Sequence, residues 1–201
     1  KLLRRAAELL DEAGWKISGG QRRNAKGEAL SVEFLGDDPV FQRVEGPYIK
    51  NLKLLGIAAQ SRLVDSAQFQ DRLKKYDFDL IVQRYSMGLT PGIEMRAYWG
   101  SEFARTEGSR NLSGIADPAI DALIEKVIAA GTRPEQTVAA RALDRVLRAG
   151  HYWIPQWHKA SYTLAYWDIY DAPKVLAKYD RGVERSWWVD MAKAKRLGLK
   201  G

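Results

Sequence analysis

The chain has 201 residues, 46% of them apolar, a formal net charge of +7 and no cysteine. That length is enough for one sizeable core, or for one lobe with a trailing segment. Disulfides, thiolate catalysis and cysteine zinc sites are excluded, and no run approaches the roughly 18 to 20 apolar residues that cross a membrane. The 32 Lys and Arg are interleaved with 25 Asp and Glu, so a solvated surface is expected, and no nucleic-acid partner.

Leu2, Leu3, Ala6, Leu9, Leu10 and Ala13 form a helical stripe that stops at Gly14. A polar Gly/Lys/Arg loop follows to about Gly27, then an alternating strand over Leu30 to Leu35. Phe41 to Leu55 reads as a helix, with Pro47 predicting a break or a late start. Ile57 to Val64 is the next strand, and Asp65 restarts a helix that ends near Lys75. Phe78 to Gln83 is short and nearly continuously apolar, the pattern of a strand covered by helices on both faces.

Asp117-Pro118 opens a helix over about 117 to 130, with Asp117 at the cap and Pro118 at the first helical position. Thr132-Arg-Pro-Glu135 has capping-box spacing and opens a second, over 134 to 149. Tyr162 to Tyr170 alternates as a strand. After Ala172-Pro173 the pattern loosens. The order implies an α/β fold, a sheet layered with helices.

Six segments taken together, Ala7–Trp15, Leu52–Ile57, Tyr76–Val82, Asn111–Ile124, Ala142–Leu147 and His151–Trp157, resemble the carboxy-terminal part of the family 5 extracellular solute-binding proteins. These are the peptide and oligopeptide receptors of bacterial ABC importers. Tyr166-Trp-Asp-Ile-Tyr170 and Ser186-Trp-Trp188 resemble the YejA-like subgroup. The resemblance implies the second lobe of a type II periplasmic binding protein-like fold, a mixed sheet flanked by helices. Residues 1 to about 170 are then the ligand-binding lobe, and 171 to 201 return to an amino-terminal lobe encoded upstream, as would be a signal peptide. It further implies a periplasmic monomer that binds a peptide by lobe closure, delivers it to an inner-membrane permease, and uses neither cofactor nor chemistry. On that reading Trp187 and Trp188 would face the other lobe. Receptors for nickel, haem or sugars are the nearest alternative, and a nucleic-acid-binding basic domain is the alternative from another class.

Ligands of open α/β sheets sit outside the carboxyl ends of the strands, so the loop after Phe78 to Gln83 is the first candidate. Arg84 is suited to a carboxylate, Tyr85 to an aromatic wall with a hydroxyl, and Gly88 to close backbone approach, with Ser86 a further ligand-binding candidate on the same loop. Their structural alternatives are a surface arginine and a core tyrosine. In the dipeptide and oligopeptide receptors of the family this loop carries an aspartate for the peptide's amino terminus. Here Gly88 stands at the comparable place, which leaves room for a blocked peptide, a muropeptide, or another acid such as Glu94. Trp99 lies between the two candidate loops. Asn111 and Ser113 match the family's asparagine-bearing loop and suit bonds to ligand main chain; their alternative is to satisfy turn amides. Trp15, Trp153 and Trp157 are expected to pack the core. His151 and His158 lack zinc spacing, and no nucleophile–base arrangement is signalled.

Overall fold

The apolar repeat at the start of the chain forms α1, Leu2–Glu12, which ends where Gly14 turns left-handed. The computed structural model describes residues 1–85, 87–158, 161, 163–175, 178 and 182–198. They fall into two units: Lys1–Tyr85 with Arg96–Asp117, and Ser86–Met95 with Pro118–Gly201.

In the first unit the segment expected as a polar loop is a hairpin, β1 Lys16–Ser18 against β2 Gln21–Arg23. Gly19 and Gly20 both have positive φ, the geometry that a two-residue hairpin turn requires. Arg22 on β2 is 3% exposed and ties three segments together. Its guanidinium donates to Asp11 (2.5 Å), the Trp15 carbonyl (2.8 Å) and the Leu55 carbonyl (2.9 Å). The α1 stripe is only partly covered, with Leu2 86% exposed.

The sheet that organises this unit is parallel, with β3 Ser31–Gly36 between β4 Ala58–Leu63 and β5 Leu80–Ile81. Helix α2, Gln42–Leu54, joins β3 to β4, and α3, Ser66–Lys74, joins β4 to β5. Pro47 does not break α2. Asp38 caps a 3-10 turn at Pro39–Phe41 that runs directly into the helix, and exposed Pro47 costs one amide donor while the inner face stays anchored. That face presents Ile49 and Leu52 to Phe34 and Ala59, with Val32 and Leu80 packed around them. Burial of each large side chain there contributes about 1.5–3 kcal/mol. The side chain of Asp65 caps α3 through the Gln68 amide, as its position predicts. Strand β5 is shorter than expected and half-buried, because it pairs with β3 along one edge only.

After α4, Glu94–Trp99, a 3-10 turn at Ser101–Phe103 and a loop complete the first unit. In the second unit α5, Pro118–Ala129, packs against α6, Arg133–Ala149. Ile120, Ile124 and Val127 on one helix and Leu143 and Leu147 on the other are buried. The Thr132–Glu135 capping box forms as its spacing predicts. The expected strand over Tyr162 to Tyr170 does not form among the described residues before Tyr170. There β6, Tyr170–Asp171, pairs with β7, Trp188–Val189; α7, Val183–Ser186, precedes β7 and α8, Met191–Arg196, follows it. Trp157 is 67% exposed rather than in the core, Trp188 is half exposed, and the Trp187 ring meets Tyr166 edge-on at 4.8 Å.

Candidate functional site

Strand β5 delivers the chain to Arg84 and Tyr85 at the carboxyl edge of the parallel sheet. Tyr85 meets Tyr98 edge-on, ring centroids 5.4 Å apart, and Trp99 at 6.3 Å. Tyr98 and Trp99 are 6.1 Å apart, so the three rings form one cluster. Arg110 closes it from outside, 5.7 Å above the Tyr98 ring and donating to the Tyr98 hydroxyl at 3.2 Å. The Tyr85 hydroxyl hydrogen-bonds the Ser113 side chain. Burial pushes the Tyr85 phenol above the ordinary tyrosine range, and the Ser113 bond opposes part of that rise. Such a cluster offers an apolar wall with hydroxyls at its border, suited to stacking and to single hydrogen bonds.

The loop that carries Ser113 is built around Asn111, which is fully buried. Its Nδ2 donates to the Gly100 carbonyl (3.0 Å) and the Ile115 carbonyl (2.8 Å), and its Oδ1 accepts the Ile115 amide (2.9 Å). Those bonds occupy the side chain inside the protein, so Asn111 shapes the loop, in line with its alternative of satisfying turn amides. Behind it Tyr76 has a φ of 57°, and its hydroxyl meets Ser109 Oγ at 2.6 Å and the Thr106 and Phe103 carbonyls at 3.2 and 3.3 Å. Ser109 Oγ also accepts the Asn111 amide at 3.2 Å.

Of the residues singled out in the sequence, Tyr85, Trp99 and Ser113 come together in this cluster. Arg84 is exposed, its guanidinium carbon 5.4 Å from the Phe41 ring centroid, and Ser86 lies outside the described residues. Gly88 is exposed in the second unit, on a loop fastened by Arg133, which donates to the Leu89 carbonyl at 2.6 Å, and by Gln136, which donates to that of Pro91 at 3.0 Å. Glu94 accepts the Gly92 amide at 3.0 Å and so braces its own loop. Tyr98 and Arg110 escaped the sequence reading, since nothing local shows that residues 85, 98 and 110 meet.

An open groove of about 750 Å³ lies elsewhere, at the amino ends of the strands, lined by Ser31, Glu33, Ala58, Asp77 and Asp79 among others. Within it Arg72 pairs with Glu33 and Asp77 at 2.9 Å each, and Asp79 accepts the Glu33 amide. No group of three or more His, Asp or Glu among the described residues is placed to hold a metal ion, and no described helix is long and apolar enough to cross a membrane.

Residues 2–106 match the model of the bacterial extracellular solute-binding proteins, family 5 middle region. The chain is 43% identical over 187 residues to a probable peptide-binding protein YejA of Agrobacterium fabrum, covering 92% of this chain and 30% of that one. It is 34% identical over 188 residues to the peptidoglycan-binding protein YepA of the same organism, covering 94% and 30%. Among solved structures it resembles the oligopeptide-binding protein AppA of Bacillus subtilis in complex with a nonapeptide, with a TM-score of 0.65 at 19% identity, covering 74% of this chain and 30% of that one. The chain thus spans about 30% of the length of these relatives. With more than half of its residues matched by the family model, and with an α/β fold shared with an oligopeptide-binding protein, the chain belongs to the bacterial extracellular solute-binding proteins of family 5.

Proposed function

We propose that the chain is the carboxy-terminal lobe of a periplasmic receptor that captures peptides, muropeptides included, for a bacterial ABC importer. Residues 1 to about 170 form the ligand-binding lobe and 171 to 201 return to a first lobe. The observation that carries this reading is the Tyr85, Tyr98 and Trp99 cluster at the carboxyl edge of the parallel sheet, with Ser113 beside it. Rings and hydroxyls receive peptides of varied sequence, since they ask for little beyond an apolar side chain and a main-chain polar group. Arg84 takes a carboxylate, Gly88 allows close approach of the backbone, and Asn111 holds the loop that presents Ser113. The names of the relatives, peptide-binding and peptidoglycan-binding, favour the same ligand class.

The action is conformational. Ligand bridging two lobes stabilises their closed arrangement, which a membrane permease then recognises. No covalent step is required of any residue. The test is calorimetry on the intact protein and on residues 1–201 alone, with free peptides, amino-blocked peptides and muropeptides. Micromolar binding by the intact protein and little by residues 1–201 is expected. Equal tight binding by both removes the two-lobe mechanism, and no binding of any peptide by the intact protein removes the ligand class.

A further inference from the structure

Glu45 sits in the first turn of α2, one turn before Ile49 on the face that packs on the sheet. Side chains two residues apart on a strand share a face, so Gly36 continues the face of Phe34, and Ser61 that of Ala59. Glu45 is the polar end of this otherwise apolar seam. It is 5% exposed, and its Oε2 accepts a hydrogen bond from Ser61 Oγ at 2.7 Å. Its Oε1 is turned toward Gly36, the last residue of β3, where a side chain grown on the glycine would begin 4.0 Å from it. Among the described residues Glu45 forms no ion pair.

Ser61 Oγ occupies Oε2, while Oε1 carries no protein hydrogen bond among the described residues and is open to a cation. We propose that Glu45 receives a primary ammonium group of the bound ligand, which reaches Oε1 over Gly36. This inference rests on the reading of the chain as a peptide-capturing lobe. Gly36 lies at the carboxyl edge of the central strand, the side on which open parallel sheets receive ligands. Its bare backbone leaves the approach to Oε1 clear of any side chain of its own. The neighbouring Asp37 and Asp38 add negative charge at that edge, although one oxygen of each is held, by Ser66 Oγ and the Val40 amide. Arg84, stacked on Phe41 at the end of the turn that Asp38 caps, supplies a positive group in the same part of the first unit. An edge with a buried anion and a nearby exposed cation is complementary to a ligand with an ammonium and a carboxylate, the two ends of an unblocked peptide.

The experiment presents the intact protein with a lysine-free tripeptide library, free at the amino terminus or N-acetylated, and reads bound species by native mass spectrometry. The wild type is expected to prefer free amino termini by tenfold or more. Glu45→Gln, which keeps the shape and the Ser61 bond, is expected to abolish that preference while leaving acetylated peptides bound as before. Gly36→Ala, whose Cβ would begin 4.0 Å from Oε1 and meet no other atom within that distance, is a milder change expected to reduce the preference without erasing it, and carries the test should Glu45→Gln fail to fold. A preference unchanged in both variants overturns the proposal. So does an equal loss for free and acetylated peptides, the mark of a purely structural carboxylate. Wild-type binding that ignores the amine removes the Glu45 assignment alone; failure to bind any peptide removes the peptide-capture reading, and this assignment with it.

Discussion

Replacing Asn111 by alanine removes three hydrogen bonds at a position with no solvent exposure: two to carbonyls, at 3.0 and 2.8 Å, and one from an amide at 2.9 Å. Each buried backbone group left without a partner costs about 1–3 kcal/mol. Water entering the vacated space recovers part of that, so the expected loss is about 3–5 kcal/mol. For a chain of this size that is a fall in Tm of roughly 6 to 20 °C. Asn111→Asp is the sharper probe, because it keeps the shape and turns an amide donor into an oxygen facing the Gly100 and Ile115 carbonyls. It is expected to destabilise at least as much as alanine, despite changing hardly any volume. Urea unfolding followed by tryptophan fluorescence checks both, with an unchanged m-value showing that the native state alone was affected. A loss below about 1 kcal/mol in the alanine variant, or an aspartate variant as stable as wild type, refutes the assignment of this side chain as the loop's organiser.

Arg22→Ala strands the Trp15 and Leu55 carbonyls and is expected to cost about 3–5 kcal/mol, whereas Asp11→Asn, at the half-exposed end of the same ion pair, should cost about 1 or less; chemical denaturation compares them. Gly100→Ala places a Cβ 2.7 Å from the Arg96 carbonyl oxygen, with no flexible side chain to yield, and should lower Tm by several degrees in a melting experiment. Ultraviolet titration should find Tyr85 ionising above the ordinary phenol range, and still higher in Ser113→Ala. Because its folded pKa is raised, its contribution to stability is complete below the unfolded value of about 10 and is lost as pH rises toward the folded one. Unfolding curves that stay flat across that alkaline window would contradict this.

Helix starts were legible because a cap is a local event. Asp65, Thr132 with Glu135, and Pro118 act on amides within one turn, so spacing alone announces them. The 16–23 hairpin is less legible although its Gly19-Gly20 turn is a local signal of the same kind, because its strands are short and polar and lack apolar alternation. The strand expected at Tyr162 to Tyr170 shows the opposite failure, since alternation reports which side chains share a face and cannot supply a partner strand. Phe78 to Gln83 reads as a strand leading to the candidate site, yet only Leu80 and Ile81 pair, and on one edge. In the candidate cluster, Tyr85, Trp99 and Ser113 stand out by loop position, whereas the meetings of Tyr85 with Tyr98 and of Tyr98 with Arg110 arise only through folding across a dozen residues or more. Asn111 stands out in its loop as a polar residue, but its bonds run to the backbone of Gly100 and Ile115, a difference that sequence cannot express.

Tyr76 couples two demands that a protein engineer would prefer to separate. Its left-handed backbone lets the chain leave α3, a conformation that glycine adopts at no steric penalty, while its hydroxyl grips the segment from Phe103 to Ser109. A glycine there relaxes the turn and releases the grip; a phenylalanine keeps the strain and releases it as well. Neither substitution improves both, so variation in the Ser113 loop is constrained by a residue more than thirty positions away.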